Sequence, residues 1–89
     1  MKCVISFRNI EHTPSIDNRI KEKSNKLQKF LHGNAELSWT CWTEHNLQYA
    51  ELKIHDGKKN YLATADSPNL YKSLDLVIGK IENQIQHSH

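Results

Sequence analysis

Apolar and polar residues alternate from Lys2 to Arg8, with Cys3, Ile5 and Phe7 on one side and Lys2, Val4, Ser6 and Arg8 on the other. Successive strand side chains point to opposite faces, so this segment reads as a strand with one apolar face. The period changes after Thr13-Pro14. Ile16, Ile20, Leu27, Phe30 and Leu31 share one side of a helix. Thr13 suits its N-cap and Pro14 its first position, and Gly33-Asn34 supplies the stop. Alternation then returns three times. Leu37, Trp39, Cys41 and Thr43 form the inner side of a second strand, with Ser38, Thr40, Trp42 and Glu44 outside. Ala50, Leu52 and Ile54 line a third strand, and Tyr61, Ala63 and Ala65 a fourth. His45-Asn46 marks the first connecting turn, and Asp56-Gly57 is a hairpin signal for the second. Ser67-Pro68 opens a second helix by the same capping logic, and Leu70, Leu74, Val77, Ile78, Ile81 and Ile85 make its stripe.

The predicted order is therefore β-α-β-β-β-α. Each strand has a single apolar face and both helices are amphipathic. The economical arrangement is an α+β two-layer sandwich, with two helices packed on one face of a four-stranded sheet. At 89 residues this is one domain, 1–89, with no room for separate catalytic and cofactor domains. Apolar residues at 37% and charged residues at 25% belong to an ordinary folded domain, not to a disordered tail. No apolar run approaches the roughly 18 residues of a membrane helix. The apolar stretch near Met1 is too short for a signal-peptide core. A cytoplasmic protein with no membrane partner is expected.

Charge sharpens the picture. The net +2 hides an asymmetry, since residues 1–34 carry seven Lys/Arg against three Asp/Glu, and the rest carry five against seven. Arg19, Lys21, Lys23, Lys26 and Lys29 face only Glu22 between positions 19 and 29. On a helical projection Arg19, Lys23, Lys26 and Lys29 fall on one flank of the first helix, with Lys23 nearest the buried edge. On the second helix Lys72, Lys80, Asn83, Gln84 and His87 share one flank, and Asp75 and Glu82 the other. Side by side, the two helices would frame a positive groove suited to a sugar–phosphate backbone, because each neutralised phosphate releases counterions.

Other chemistry finds little support. Six histidines and two cysteines contain no Cys-x-x-Cys and no His-Glu-x-x-His, so neither a metal nor a cofactor is expected, although His87-Ser88-His89 is noted. Cys3 and Cys41 read as buried thiols. No nucleophile–base pairing stands out and three glycines form no phosphate loop, so no enzyme is expected. Asp66 and Asp75 read as an outer strand position and a solvated helix flank.

With this order in view, several stretches resemble the short ribosome hibernation-promoting factor family, which includes ribosome-associated inhibitor A. They are Asn9-Ile10-Glu11-His12-Thr13, Lys23 to Leu31, and Ala63-Thr64-Ala65-Asp66 followed by Leu70-Tyr71-Lys72-Ser73-Leu74-Asp75. The resemblance implies the same fold and binding to the small ribosomal subunit at the mRNA channel and decoding centre. There the protein would block mRNA and tRNA and hold ribosomes idle in stationary phase or stress. By match, Lys23, Lys26, Lys29 and Lys80 would meet rRNA, and Arg19 joins them on geometry. The chain departs from the family pattern after Lys80, where Asn83, Gln84 and His87 stand in place of further basic residues. Two other readings remain open. One is a protein-interaction or homodimerising module that uses the open sheet face, where Val4, Trp42, Tyr49 and Leu62 would lie. The other is a generic double-stranded RNA-binding domain.

Overall fold

In the computed structural model, which describes residues 1–88, the elements follow the predicted order. They are β1 (Lys2–Arg8), α1 (Pro14–Lys26), β2 (Glu36–Glu44), β3 (Leu47–Asp56), β4 (Lys59–Ser67) and α2 (Leu70–His87), with a short 3-10 turn at Gln28–Phe30. The sheet order is β1-β2-β3-β4. β1 runs parallel to β2, as a crossover through α1 allows, and the two hairpins make the remaining pairs antiparallel. The α+β two-layer sandwich is thus what the alternating strands and striped helices build, with both helices over one face.

Local chemistry explains the connections. Thr13 caps α1, its Oγ1 accepting from the Ile16 N–H at 3.2 Å, and Pro14 follows it. His45 and Asn46 both take positive φ, 51° and 64°, as a two-residue I′ hairpin requires. Gly57, at φ 63°, provides the left-handed residue of the second hairpin. That conformation is one in which a glycine carries no Cβ penalty.

The inner faces meet in one core. Trp39, Leu37, Cys41, Leu52 and Ile54 from the sheet pack against Ile20 and Leu27 from the α1 side and Leu74, Val77 and Ile81 from α2. Burying the Trp39 indole creates an obligation, because a buried N–H needs an acceptor. Ser24 on α1 supplies it. Its Oγ accepts from Trp39 Nε1 at 2.9 Å and donates to the Ile20 carbonyl at 2.8 Å. A second buried tie joins α2 to the sheet, where Ser73 Oγ donates to the Gln48 carbonyl at 2.6 Å.

Three expectations need correction. The first helix does not run to Gly33-Asn34. It ends at Lys26, with Leu27 as C-cap and its N–H turned back to Ser24 and Asn25 carbonyls. The following 3-10 turn rotates Phe30 away from the stripe and leaves it 36% exposed. The second helix is capped by Asn69, not Ser67. Ser67 still pairs with Gln48 at the end of β4, and Asn69 Oδ1 accepts from the Tyr71 and Lys72 N–H groups. Cys3 is exposed, not buried, on the edge strand β1, with its Sγ 3.7 Å from Ser24 Oγ of α1. Cys41 is buried, and that burial pushes its thiol up to about 11.

Ser24→Ala strands the Trp39 N–H in the core and lowers unfolding free energy by about 2 kcal/mol. Ser24→Ala/Trp39→Phe recovers part of that loss, as urea titration would show, since neither partner is then left unmatched. At pH 8 a thiol reagent modifies Cys3 in the folded protein and reaches Cys41 only on unfolding. Cys41 favours the fold fully below its ordinary value of 9.0, and this contribution is lost as pH rises toward about 11.

Candidate nucleic-acid interface

The outer surface of the helical layer is assembled from α1, its 3-10 extension and the facing flank of α2. Two rungs join the helices. Arg19 places its guanidinium 5.0 Å from the centre of the Tyr71 ring, a cation–π contact. One turn further along both helices, Lys23 Nζ meets Asp75 Oδ1 at 2.6 Å. Arg19 and Lys23 are four residues apart, as are Tyr71 and Asp75, so each pair lies on one helix face.

These rungs change the expected groove. The flank of α2 that faces α1 carries Asp75, not Lys80, so Lys23 is met by a carboxylate instead of a second cation. Its side chain is only 18% exposed, with the stem covered and the ammonium held. Lys80 lies on the opposite flank, where its Nζ donates to the Thr64 carbonyl of β4 at 2.7 Å. Gln84 does the same beside it, bonding both the N–H and the carbonyl of Leu62. Together they satisfy three outward-facing backbone groups of an edge strand, the kind that would otherwise invite pairing with another chain. The structure therefore brings Arg19 and Lys23 together and keeps Lys80 apart from them.

Lys26 and Lys29 stand differently. Both are exposed, and among the described residues neither meets a carboxylate. Lys29 sits 5.1 Å over the Phe30 ring. Lys21 and Arg19 are engaged on α1 itself, with Asp17 at 3.7 Å and Glu22 at 3.6 Å. Of the cations on α1 and its 3-10 turn, Lys26 and Lys29 are thus the ones without a carboxylate partner among the described residues.

Tyr71 and Asp75 are the positions that sequence reasoning undervalued. Their signal was the matched four-residue spacing, Arg19 and Lys23 against Tyr71 and Asp75. It is meaningful only once the helices are known to run side by side in the same sense. Among the described residues no three His, Cys, Asp or Glu side chains gather as a metal site. His89, part of the terminal histidine pair, lies outside the described residues. Among the described residues no helix is long and apolar enough to cross a membrane.

Comparison with known proteins agrees with this fold. A sequence profile for the Sigma 54 modulation protein / S30EA ribosomal protein family matches residues 3–89. The structure is similar to the N-terminal domain of Protein Y from Thermus thermophilus, with a TM-score of 0.90, 18% identity and 100% of both chains covered. It is also similar to a ribosomal subunit interface protein from Coxiella burnetii, with a TM-score of 0.87 and 16% identity. That match covers 98% of this chain and 96% of the other. A search of curated protein sequences finds no match.

The lysines are expected to separate by stability. Lys23→Ala loses the inter-helix pair and the cover of its stem, and costs about 1 kcal/mol. Lys26→Ala and Lys29→Ala stay within about 0.5 kcal/mol of the parent. Equal losses at all three positions in urea unfolding would contradict the distinction.

Proposed function

The chain belongs to the Sigma 54 modulation protein / S30EA ribosomal protein family, and from that membership we propose a ribosome hibernation factor that acts by occupancy. It binds the small ribosomal subunit at the mRNA channel and decoding centre and excludes mRNA and tRNA, with no chemistry of its own and in the cytoplasm. The observation that carries this reading is the pair of uncommitted cations, Lys26 and Lys29, beside the Arg19–Tyr71 rung on the helical face. Phosphate oxygens suit such groups, and contacts of this type fix position without reading base sequence.

The residues divide by role. Lys26 and Lys29 are the principal phosphate ligands, and Arg19 adds a partly exposed guanidinium already oriented by Tyr71. Lys23 serves chiefly to hold α1 against α2, so its contribution to rRNA binding runs through the placement of its neighbours. Lys80 reaches rRNA only by releasing the Thr64 carbonyl.

Co-sedimentation with ribosomes at low and high salt tests this. The protein is expected to pellet with small subunits at low salt and to be released by added salt. Lys26→Glu/Lys29→Glu should weaken binding at least tenfold. Each phosphate contact adds about 0.9 to the slope of log affinity against log salt on a duplex-like lattice, so the double variant should flatten that slope by about 2. No pelleting at low salt would overturn the reading. Tight binding to plain RNA duplexes without ribosomes would point to a generic duplex-binding domain instead.

A further inference from the structure

The helices cover one face of the sheet and leave the other without a partner. The strand registers set out this open face as a grid. One row runs Arg8, Trp42, Tyr49, Asp66 across the four strands. A parallel row two steps away runs Val4, Ser38, Lys53, Leu62. Val4 is 47% exposed and Leu62 is 51% exposed, and both are large apolar side chains. Trp42 and Tyr49 are half-buried and stacked on each other, with centroids 5.2 Å apart and planes 7° from parallel.

This grid is complementary to itself. Let a second copy lie face to face on the first, with the two-fold axis parallel to the strands and running between β2 and β3. The operation keeps each row at its height and reverses its order, so β1 faces the partner's β4 and β2 faces the partner's β3. Arg8 then meets the partner's Asp66, and Trp42 meets the partner's Tyr49. Val4 meets the partner's Leu62, apolar on apolar. In the row between them Thr40 meets the partner's Glu51, a hydroxyl on a carboxylate. At the far end Glu36 meets the partner's His55, and nowhere across these four rows do like charges coincide. Turning the axis across the strands instead would set Lys2 on the partner's Arg8 and leave Asp66 facing Asn60.

We propose that this face is an isologous homodimer interface, formed by a second copy of the chain in the strand-parallel arrangement. A two-fold contact must bury the same patch on both subunits, and this face does so with matched pairs at Arg8–Asp66, Trp42–Tyr49 and Val4–Leu62, while Lys53 meets the partner's Ser38 and Lys2 the partner's Asn60. Packed sheets are usually rotated by about 30°, which moves the corners by several ångströms, within reach of the Arg8 side chain. The size of the face sets the strength. Four strands about 4.8 Å apart, each with roughly seven residues rising about 3.3 Å, give about 450 Å² per copy, or about 900 Å² in all. That is just below the usual lower limit for a specific interface, so the dimer is a weak one, with a Kd on the order of 100 µM. Both helical layers point outward in it, and the Lys26–Lys29 surface stays accessible on each copy.

Sedimentation velocity of the full chain across about 1 µM to 1 mM tests the proposal. The weight-average mass should rise from monomer toward dimer. Leu62→Glu, at an exposed position that leaves the fold intact by circular dichroism, should hold the protein monomeric. Asp66→Arg should weaken the dimer at least tenfold by placing Arg8 against a cation, and Arg8→Asp/Asp66→Arg should restore it. A monomer at every concentration would overturn the proposal. So would a dimer that survives both single substitutions, since it would use another surface. Ribosome binding is read separately and does not depend on either result.

Discussion

The position of the helical layer depends on one constraint, the need to satisfy the indole N–H of Trp39. β2 is an interior strand and its inner face is fully covered, so the donor cannot reach water. Ser24 on α1 meets it and fixes the rotation of that helix about its own axis. With Ser24 turned inward, Lys23 is carried round toward α2 and Lys26 toward solvent, because successive residues step by about 100°. The same hydroxyl donates to the Ile20 carbonyl, one turn back along the helix. The hydrogen bond that closes the core thereby decides which cations pair internally and which stand free.

The division of positive charge follows from this. Arg19 and Lys23 are drawn into contacts with Tyr71 and Asp75, and Lys80 is drawn over the edge of β4. Each engagement stabilises the fold modestly, since partly exposed ion pairs contribute little. Each also lowers the readiness of that side chain to meet an external phosphate. Of the cations on α1 and its 3-10 turn, those left over, Lys26 and Lys29, stand where the helix ends. A positive helix in a sequence is therefore not yet a positive surface. The surface is what remains after the protein has used its charges on itself.

The strands and their facing were legible in the sequence because alternation has a period of two and each strand buries one side only. Leu37, Trp39 and Cys41, or Ala50, Leu52 and Ile54, could be assigned inward without any tertiary information. Helix ends were less legible. Phe30 and Leu31 continue the period of α1, yet a 3-10 turn intervenes, and nothing in their spacing marks it. Ser67-Pro68 imitates a cap, but Ser67 remains in the ladder with Gln48 and Asn69 takes the role. The candidate site was legible as a set of residues and illegible as an arrangement. Which flank of α2 faces α1 depends on how both stripes settle on the sheet, and that choice replaced Lys80 with Asp75 in the groove. The exposure of Cys3 likewise follows from strand order, since only an edge strand leaves an inward side chain so open.

Two faces of the molecule thus carry different chemistry. The helical face holds Lys26 and Lys29 at the end of α1, and the open sheet face holds apolar side chains and charges of both signs. On the proposed reading, rRNA meets the helical face, at the end of α1. The structure of the protein bound to the small ribosomal subunit tests it most directly. Lys26 and Lys29 are expected within hydrogen-bonding distance of rRNA phosphates, with Asp75 still holding Lys23 and the open sheet face turned away from rRNA. A complex in which Trp42, Tyr49 and Leu62 lie against rRNA while Lys26 and Lys29 face solvent would contradict it.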